Sequence, residues 1–279
     1  MSTKKVWFVT GASKGLGLTL AKKLLAAGDF VAATSRNIME LEKVIGEENS
    51  NFLPLEMDLI NEVSVAEAVS KSIAKFGRLD VIVNNAGYGQ LGTLEELTDE
   101  ESRKNFDTNV FGSLNIIRKA MPHLRAQKNG FIINIASIGG LTGEFAGWGV
   151  YCATKFAVVG FTEALAAEVK EFGVNATVVY PGYFRTDFLT GGSLRTPITE
   201  IKDYSVARQL QAAHEQDING NQPGDPEKAA LAMITLADME KPPVHLVLGS
   251  DAFQIANNKL STLQNEISDF KTLSTSTDY

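Results

Sequence analysis

A tyrosine and a lysine that share one helical face are the first residues in the sequence that could do chemistry. In GVYCATKFAVVGFTEALAAEV (residues 149–169), Tyr151 and Lys155 are four positions apart. On a helix this spacing puts both side chains on one face, about one turn apart. An ammonium group beside a phenol favours the phenolate and lowers the pKa of the tyrosine from its ordinary value of about 10. A tyrosine tuned in this way could exchange a proton with a substrate, although the same spacing also arises by chance.

The glycine-rich segment TGASKGLG (residues 10–17) is a second candidate, because it follows an apolar run and precedes a helix-forming run. Gly11, Gly15 and Gly17 permit a tight turn, a close backbone approach and close helix packing. The first N–H groups of the following helix can then bind a phosphate. Many glycine-rich turns are purely structural, but a turn after the first strand of an alternating chain favours dinucleotide binding.

The elements that must position these residues alternate along the chain. Short β-branched and aromatic runs predict strands, and amphipathic runs between them predict helices. The predicted strands lie at 5–10, 30–35, 51–58, 79–87, 130–137, 174–182 and 244–249. The predicted helices lie near 17–28, 37–45, 62–76, 99–127, 149–172, 226–238 and 251–270. Because the strands are apolar on both faces, we expect an α/β fold with a doubly wound parallel sheet.

Residues 187–224 break this alternation with a long mixed segment rich in glycine and proline, which is typical of a mobile insertion. We expect this segment to form a lid over a substrate site. Regular structure resumes at Asp225, Pro226 and Glu227, which predict a helix N-cap, a proline at the first helical position and an acidic first turn. Since the sequence contains no internal repeat, we expect residues 1–279 to form one domain, with a C-terminal tail from about residue 250.

Composition argues against several classes of protein. The chain has 33 acidic and 26 basic residues, giving a net charge of −7, and the dispersed basic residues form no stripe for nucleic acid. Cys152 is the only cysteine, so an internal disulfide is impossible, which suits a reducing compartment. No uncharged apolar run approaches the roughly 18 residues that span a bilayer. We therefore expect a cytoplasmic protein that binds neither nucleic acid nor membrane.

Further motifs occur in a fixed order, and together they resemble the short-chain dehydrogenase/reductases of the classical type. The motifs are TGxxxGxG at 10–17, NNAG at 84–87, Asn109 in NVFG, Ser137 in IAS, YxxxK at 151–155 and PGYFRT at 181–186. The resemblance covers nearly all of the chain and extends to bacterial NADPH-dependent ketoreductases. It implies an oxidoreductase with a Rossmann fold, whose seven-stranded parallel sheet has the order 3-2-1-4-5-6-7.

The resemblance implies four catalytic residues: Asn109, Ser137, Tyr151 and Lys155. A nicotinamide supplies only the hydride, so carbonyl reduction and alcohol oxidation also need a general acid or base. Tyr151 would fill this role, and Lys155 would tune it and hold the nicotinamide ribose. Ser137 would hydrogen-bond the substrate oxygen. Asn109 would interrupt helical bonding and hold a water that links Lys155 to solvent, unless it is an ordinary buried amide.

The resemblance also implies the cofactor contacts. Asp58 and Leu59 would meet the adenine, and the segment 181–186 would line the nicotinamide, whereas Asn84 would brace the sheet. The predicted cofactor-binding residues are Gly11, Ser13, Lys14, Gly15, Leu16, Gly17, Ser35, Arg36, Asp58, Leu59, Asn85, Ala86, Gly87, Tyr151, Lys155, Pro181, Gly182, Phe184 and Thr186.

The end of the second strand indicates which nicotinamide cofactor is used. Family members that prefer NAD usually carry an acidic residue there, which accepts the adenosine ribose hydroxyls. This chain instead has Ser35 followed by Arg36, and Lys14 stands immediately before Gly15. Either cation alone could be a solvated surface charge, but together they flank the expected place of a 2′-phosphate. The sequence therefore predicts NADP(H).

The sequence says less about the substrate. Cys152 is interpreted as a packing residue, because its side chain points away from that of Tyr151. His123, His214 and His245 are scattered without metal-ligand spacing, so we predict no metal site and interpret all three as surface or packing residues. A pocket for a small hydrophobic carbonyl or alcohol could be formed by apolar residues beside the motifs, several of which could equally be core: Tyr88, Phe145, Trp148, Tyr183, Phe184, Phe188 and Leu189.

Two classes of function remain open. One is an NADP(H)-dependent oxidoreductase that acts on ketones, aldehydes or secondary alcohols. The other is a catalytically silent regulator of the same fold that senses a dinucleotide. The complete set of four catalytic residues favours the enzyme, since a sensor needs no proton donor. The resemblance further implies a homo-oligomer, a dimer or tetramer, in which the helices near 99–127 and 151–172 pack against a second copy.

Overall fold

The computed structural model describes residues 4–190 and 192–279 and contains a seven-stranded sheet with helices on both faces. All neighbouring strands of this sheet are parallel. The strands, in the spatial order β3-β2-β1-β4-β5-β6-β7, confirm the predicted doubly wound fold and its strand order. They are β1 (Val6–Val9), β2 (Phe30–Ser35), β3 (Phe52–Glu56), β4 (Val81–Asn84), β5 (Gly130–Ile135), β6 (Val174–Pro181) and β7 (His245–Leu248).

The strands are apolar on both faces because a layer of helices covers each side of the sheet. Phe8 and Ile82 pack in the core on one side, and both are 0% exposed. Val9 and Val83, the next residue in each strand, pack in the core on the other side and are equally buried. Two hydrophobic cores therefore hold the central strands between them.

Capping side chains start several of the helices. The Asn61 side chain accepts hydrogen bonds from the first turn of the helix that follows it, and Thr98 forms a capping box with Glu101. Asp225 caps the helix whose first residue is Pro226, as the sequence predicts. The helices are α1 (Gly15–Ala26), α2 (Ile38–Ile45), α3 (Glu62–Phe76), α4 (Asp99–Phe106), α5 (Gly112–Gln127), α6 (Gly149–Val169), α7 (Ser205–Ala212), α8 (Pro226–Ala237), α9 (Ser250–Asp269) and α10 (Lys271–Thr275).

The strand order reverses at β1, which lies between β2 and β4. In open α/β sheets a crevice forms at this point, outside the carboxyl ends of the strands. The glycine-rich turn follows β1, the NNAG segment begins at the end of β4, and Ser137 follows β5. The topology therefore brings motifs that are distant in sequence to one edge of the sheet.

Some predicted boundaries differ from the structure near this edge. The predicted third and fourth strands are too long, because Asp58 and Asn85 leave the sheet and line the crevice. The single helix predicted over 99–127 is divided by a π-helical turn at Asp107–Phe111, which contains Asn109. Such turns are rare and often lie at functional sites.

The segment 187–224 contains ordered structure of its own. A two-residue strand, Leu194–Arg195, pairs with Gly89–Gln90, and α7 is followed by a π-helical turn at Ala213–Ile218. The segment therefore makes defined contacts with the body of the protein, and its action as a lid stays a prediction.

Glu96 anchors the segment 187–224 to the rest of the chain. Its carboxylate accepts the N–H groups of Thr93 and Ile201, each at 2.7 Å, and pairs with Arg208 at 2.7 Å. Burial opposes ionisation of this side chain, but the hydrogen bonds from Thr93 and Ile201 and the charge of Arg208 hold its pKa below the usual value. Glu96 is therefore a buried carboxylate that joins two distant parts of the chain.

The two longest helices differ in their surroundings. By length and composition alone, the helical stretch Gly149–Phe172 is apolar enough to cross a membrane. In the fold its α6 portion packs against β6 and buries Tyr151 and Lys155, so it covers the sheet. The other, α9, continues into α10, and the two expose large apolar side chains: Phe253, Leu260, Leu263, Ile267, Phe270 and Leu273.

We predict that Glu96→Ala loosens the segment 187–224 while the sheet stays folded. The change leaves the buried N–H of Thr93 and the partly buried donors of Ile201 and Arg208 without their acceptor, at a cost of about 1–3 kcal/mol. Amide hydrogen exchange measured by mass spectrometry should therefore be faster within 198–212.

The matched control is Glu100→Ala, which removes only an exposed ion pair with Lys104. Exchange within 198–212 should be unchanged in this variant. Equal exchange in Glu96→Ala and Glu100→Ala would show that Glu96 is not the anchor.

Candidate active site

A cavity of about 1040 Å³ opens at the carboxyl edge of the sheet. Gly17 and Asn109 are buried behind its wall. The other predicted site residues all line it: Gly11, Ser13, Lys14, Gly15, Leu16, Ser35, Arg36, Asp58, Leu59, Asn85, Ala86, Gly87, Ser137, Tyr151, Lys155, Pro181, Gly182, Phe184 and Thr186.

The glycine-rich turn forms one end of the cavity. Gly11 and Gly15 have φ angles of +64° and +57°, in the left-handed region that favours glycine. A Cβ at Gly11 would lie 2.9 Å from the Cα of Ala86, and a Cβ at Gly17 would lie 2.4 Å from Nδ2 of Asn85. The turn therefore depends on glycine to pack against the segment that follows β4.

Hydrogen bonds hold the turn in place. Asn85 Nδ2 donates to the carbonyls of Thr10 and Gly11 at 2.9 and 3.1 Å. The Thr10 hydroxyl accepts the N–H groups of Asn85 and Ala86, both at 3.0 Å. Within the described chain no side chain caps α1, so the N–H groups of its first turn are available to a ligand. This cradle fits the pyrophosphate of a dinucleotide.

Two exposed cations, Lys14 and Arg36, line the cavity. Arg36 directly follows Ser35 at the end of β2, whereas Lys14 precedes α1 and its Nζ would lie 3.1 Å from a Cβ at Gly192. The Ser35 hydroxyl accepts the N–H of Asn37 at 3.3 Å. Glu40 also lines the cavity, and its negative charge would repel a phosphate. The positive charges of Lys14 and Arg36 would attract one.

Tyr151, Lys155 and Ser137 meet near the middle of the cavity. Lys155 Nζ donates to the carbonyl of Ile135 at 2.9 Å and lies 5.7 Å from the centre of the Tyr151 ring. A Cβ at Gly139 would lie 3.5 Å from the Ser137 hydroxyl and 3.7 Å from the Tyr151 ring, so the two side chains flank the same glycine. The end of β5 and the first turns of α6 thus place a phenol, a hydroxyl and an ammonium together.

Burial dominates the electrostatics of this group. It raises the pKa of Tyr151, and a hydrogen bond with Ser137 opposes the rise. Burial also lowers the pKa of Lys155 to about 8. The expected lowering of the Tyr151 pKa is therefore not met in the protein alone, because burial raises this pKa.

Asn109 lies behind the cavity wall in the π-helical turn. Its Oδ1 accepts the N–H of Tyr88, and its Nδ2 donates to the Tyr88 carbonyl and the Thr154 hydroxyl, all at 3.0 Å. A Cβ at Gly87 would lie 2.9 Å from this Oδ1 and 3.7 Å from Lys155 Nζ. Asn109 and Lys155 thus lie against the same glycine, and the proton relay through a water stays a prediction.

Asp251, which sequence reasoning missed, fixes the segment that follows β6. Its Oδ2 accepts the N–H of Tyr183 at 2.7 Å. A Cβ at Gly182 would lie 2.4 Å from the same oxygen, so only glycine fits beside it. Asp251 comes from the first turn of α9, and no local motif links it to PGYFRT.

The residues predicted for a substrate pocket all line the cavity. Four of them pack with Tyr151 in one apolar cluster: Phe145, Trp148, Phe188 and Leu189. Around Tyr151, the ring centres of Trp148 and Phe188 lie at 5.4 and 6.1 Å. Burial raises the pKa of the neighbouring Cys152 thiol to about 11, which suits a packing residue better than a nucleophile.

Sequence reasoning also missed His214, Gln222 and Arg195, which line this cavity. His214 was expected at the surface or in ordinary packing, yet it is 2% exposed and faces the pocket. All three belong to the segment 187–224, whose position over the sheet depends on long-range contacts that leave no pattern in the sequence.

Comparison with known proteins agrees with this geometry. A family model described as short chain dehydrogenase matches residues 5–193. The 3-ketodihydrosphingosine reductase of Bacteroides thetaiotaomicron is 36% identical over 88% of this chain and 88% of its own length. A short-chain dehydrogenase from Streptomyces avermitilis has a TM-score of 0.90 at 34% identity, covering 99% of this chain and 100% of its own. ElxO, solved with NADP bound, has a TM-score of 0.74 at 28% identity, covering 90% and 100%.

We predict that Gly17→Ala destabilises the protein and loosens the glycine-rich turn. The added methyl group would lie 2.4 Å from Asn85 Nδ2 and 2.7 Å from the Gly11 carbonyl oxygen, which forces the turn apart. Overpacking of this kind costs about 1–3 kcal/mol. Urea denaturation should therefore show a lower free energy of unfolding.

Gly143→Ala is the control for this substitution. Gly143 is exposed, and a Cβ there would meet no described atom within 4 Å. Its free energy of unfolding should stay within about 0.5 kcal/mol of the wild type. An equally small effect in Gly17→Ala would contradict the tight packing described above.

Proposed function

The chain belongs to the short-chain dehydrogenase family, and on this basis we propose that it transfers a hydride between NADP(H) and a ketone, an aldehyde or a secondary alcohol. Tyr151 is the general acid and base of this reaction. The observation that carries the proposal is that Tyr151, Ser137 and Lys155 meet where the glycine cradle joins the apolar pocket. A regulator that only senses a dinucleotide needs no proton donor at that junction.

The residues around the cavity fit a nicotinamide dinucleotide. The glycine-rich turn and the first turn of α1 would hold its pyrophosphate, and Lys155 would hold the nicotinamide ribose. Asp58 and Leu59 would meet the adenine, and the loop that Asp251 fixes would border the nicotinamide. The bound cofactor supplies or accepts the hydride. The NADP bound by ElxO supports this choice of cofactor class.

The side chains of this protein handle the proton. In the reducing direction, Tyr151 donates its hydroxyl proton to the developing alkoxide, and Ser137 hydrogen-bonds the same oxygen. In the oxidising direction, the Tyr151 phenolate accepts the proton of the alcohol. The Lys155 ammonium, 5.7 Å from the ring centre, favours that phenolate by charge. Asn109 would hold the water through which Lys155 exchanges protons with solvent.

The substrate is a small hydrophobic carbonyl or alcohol, since aromatic and aliphatic side chains surround Tyr151. We also place the protein in the cytoplasm, with residues 187–224 as its substrate lid. A homo-oligomer through α5 and α6 completes the proposal. In support of this assembly, Phe111, next to α5, is 51% exposed, and Phe156, on α6, is 45% exposed. A second copy of the chain would cover both apolar side chains.

We predict that Tyr151→Phe abolishes most of the turnover but leaves cofactor binding intact. The change removes the proton and keeps the ring, so turnover of the best ketone should fall by at least about 10²-fold. A panel of ketones and alcohols, followed by absorbance of the reduced nicotinamide, measures turnover. Fluorescence titration measures the NADPH dissociation constant.

Tyr180→Phe is the matched control, because Tyr180 is buried and bonds His245 at 2.9 Å away from the cavity. This variant should keep its turnover. Near-normal turnover in a folded Tyr151→Phe protein would contradict the mechanism. A wild type that binds NADPH and turns over no member of the panel would instead favour the silent regulator.

We predict that the protein binds NADPH at least about tenfold more tightly than NADH, a difference of about 1.4 kcal/mol. Arg36→Asp should reverse this preference, since it removes a phosphate partner and supplies an acceptor for ribose hydroxyls. Lys71→Asp makes a similar change of charge at an exposed position outside the cavity and should leave the ratio unchanged. Equal dissociation constants for the two cofactors in the wild type would refute the assignment.

A further inference from the structure

A polar corner interrupts the apolar wall of the substrate pocket. It consists of Tyr183, His214 and Gln222, all of which line the cavity. The Gly224 N–H donates to the Tyr183 carbonyl at 2.9 Å, which brings the segment that contains Gln222 beside Tyr183. His214 and Gln222 are each 2% exposed, so their polar groups have little contact with bulk water. Buried polar groups are normally hydrogen-bonded, and this corner therefore needs a physical explanation.

The hydrogens of the Tyr183–His214 pair are fixed by its surroundings. His214 Nδ1 lies 2.7 Å from the Leu210 carbonyl, which can only accept, so this nitrogen carries the hydrogen. Burial lowers the pKa of His214, which keeps the ring neutral and leaves Nε2 as an acceptor. The Tyr183 hydroxyl, 2.8 Å away, then donates to Nε2. The Tyr183 oxygen is left with lone pairs that can only accept.

Gln222 is the second unmet group of the corner. Its Oε1 is buried and has no hydrogen-bond partner among the described residues. A buried carboxamide oxygen that the protein leaves unpaired carries a free-energy penalty. A ligand that donates a hydrogen bond to Oε1 would remove this penalty.

The corner lies two ring contacts from the reacting centre. Trp148 stands between them, with its ring centre 5.4 Å from that of Tyr151 and 5.0 Å from that of His214. A substrate whose carbonyl reaches Tyr151 can therefore extend along Trp148 to the corner. We propose that the corner binds a hydroxyl group of the substrate, so that the substrate class is a hydrophobic carbonyl compound with a hydroxyl at its far end.

A hydroxyl fits this corner better than other polar groups. Its hydrogen can be donated to the Tyr183 oxygen or to Gln222 Oε1, both of which can only accept, whereas a second ketone has no hydrogen to donate. The three side chains are neutral, so a carboxylate would lie there without a countercharge. The inference rests on the proposed function, because it assumes that the pocket binds a carbonyl substrate.

A matched series of ketones tests the inference. One series consists of linear 2-alkanones of increasing length, and the other carries a terminal hydroxyl on the same chains. At the length that spans the pocket, wild-type kcat/KM should be at least about fivefold higher for the hydroxylated ketone. This ratio should fall in Tyr183→Phe, which removes one acceptor, and should fall to near one when Tyr183→Phe is combined with Gln222→Met, which removes both.

Tyr180→Phe is the control, because it removes the same kind of Tyr–His hydrogen bond outside the cavity. The preference should persist in this variant. Gln222→Met, which keeps the volume without the hydrogen bonds, serves as a second test if Tyr183→Phe does not fold. Absence of any preference in the wild type, or its full persistence in the variant that combines Tyr183→Phe with Gln222→Met, would overturn the assignment.

Ligand binding separates this inference from the proposed function. Trp148 lines the pocket, so quenching of tryptophan fluorescence reports binding of either series without turnover. If no ketone is turned over, the proposed reaction is wrong. The fluorescence measurement of ligand binding then tests the polar corner without turnover. Tighter binding of the hydroxylated series that depends on Tyr183 supports the corner, and equal binding of both series overturns it.

Discussion

The buried ammonium of Lys155 constrains the geometry of the whole site. An ammonium removed from water needs a hydrogen-bond acceptor, and the carbonyl of Ile135 at the end of β5 supplies one at 2.9 Å. Gly140 allows this approach, because a Cβ there would lie 2.8 Å from the Lys155 carbonyl oxygen. Gly87 leaves room in front of Nζ on the other side. These contacts fix α6 against the sheet and so determine where the Tyr151 hydroxyl lies.

Buried amide side chains also attach α6 to the sheet and to the π-helical turn. Asn84 Nδ2 donates to Asn134 Oδ1 at 2.8 Å, and Asn134 Nδ2 donates to the Thr162 hydroxyl at 2.9 Å, which joins β4, β5 and α6. Asn109 reaches the Thr154 hydroxyl on the same helix at 3.0 Å. Hydrogen bonds of this kind have directional requirements that apolar packing lacks, so α6 has one register on the sheet. A helix held in this way can present a proton donor at a constant position.

The parts of this structure that the sequence predicted are those with local signals. Strand alternation, the turn that contains Gly11 and the helix start at Asp225 each depend on a few adjacent residues. Asp251 and His214 have no such signal, because they reach the cavity through contacts between segments far apart in sequence. The sequence also predicted that Tyr151 and Lys155 are neighbours, but it did not predict the directions in which their pKa values shift. Four-residue spacing shows that two side chains are neighbours, and only the fold shows how much water both have lost.

That loss of water affects the protonation states of Tyr151 and Lys155, on which both directions of the proposed reaction depend. Burial penalises the charged form of each partner, raising the pKa of Tyr151 and lowering that of Lys155 to about 8. Tyr151 in the protein alone therefore keeps its proton, the form that carbonyl reduction needs. Alcohol oxidation needs the phenolate, so it requires further positive charge near Tyr151, and the oxidised nicotinamide carries such a charge. In the proposed reaction, the buried Tyr151 thus holds the proton that reduction needs, and a bound oxidised nicotinamide would favour the phenolate that oxidation needs.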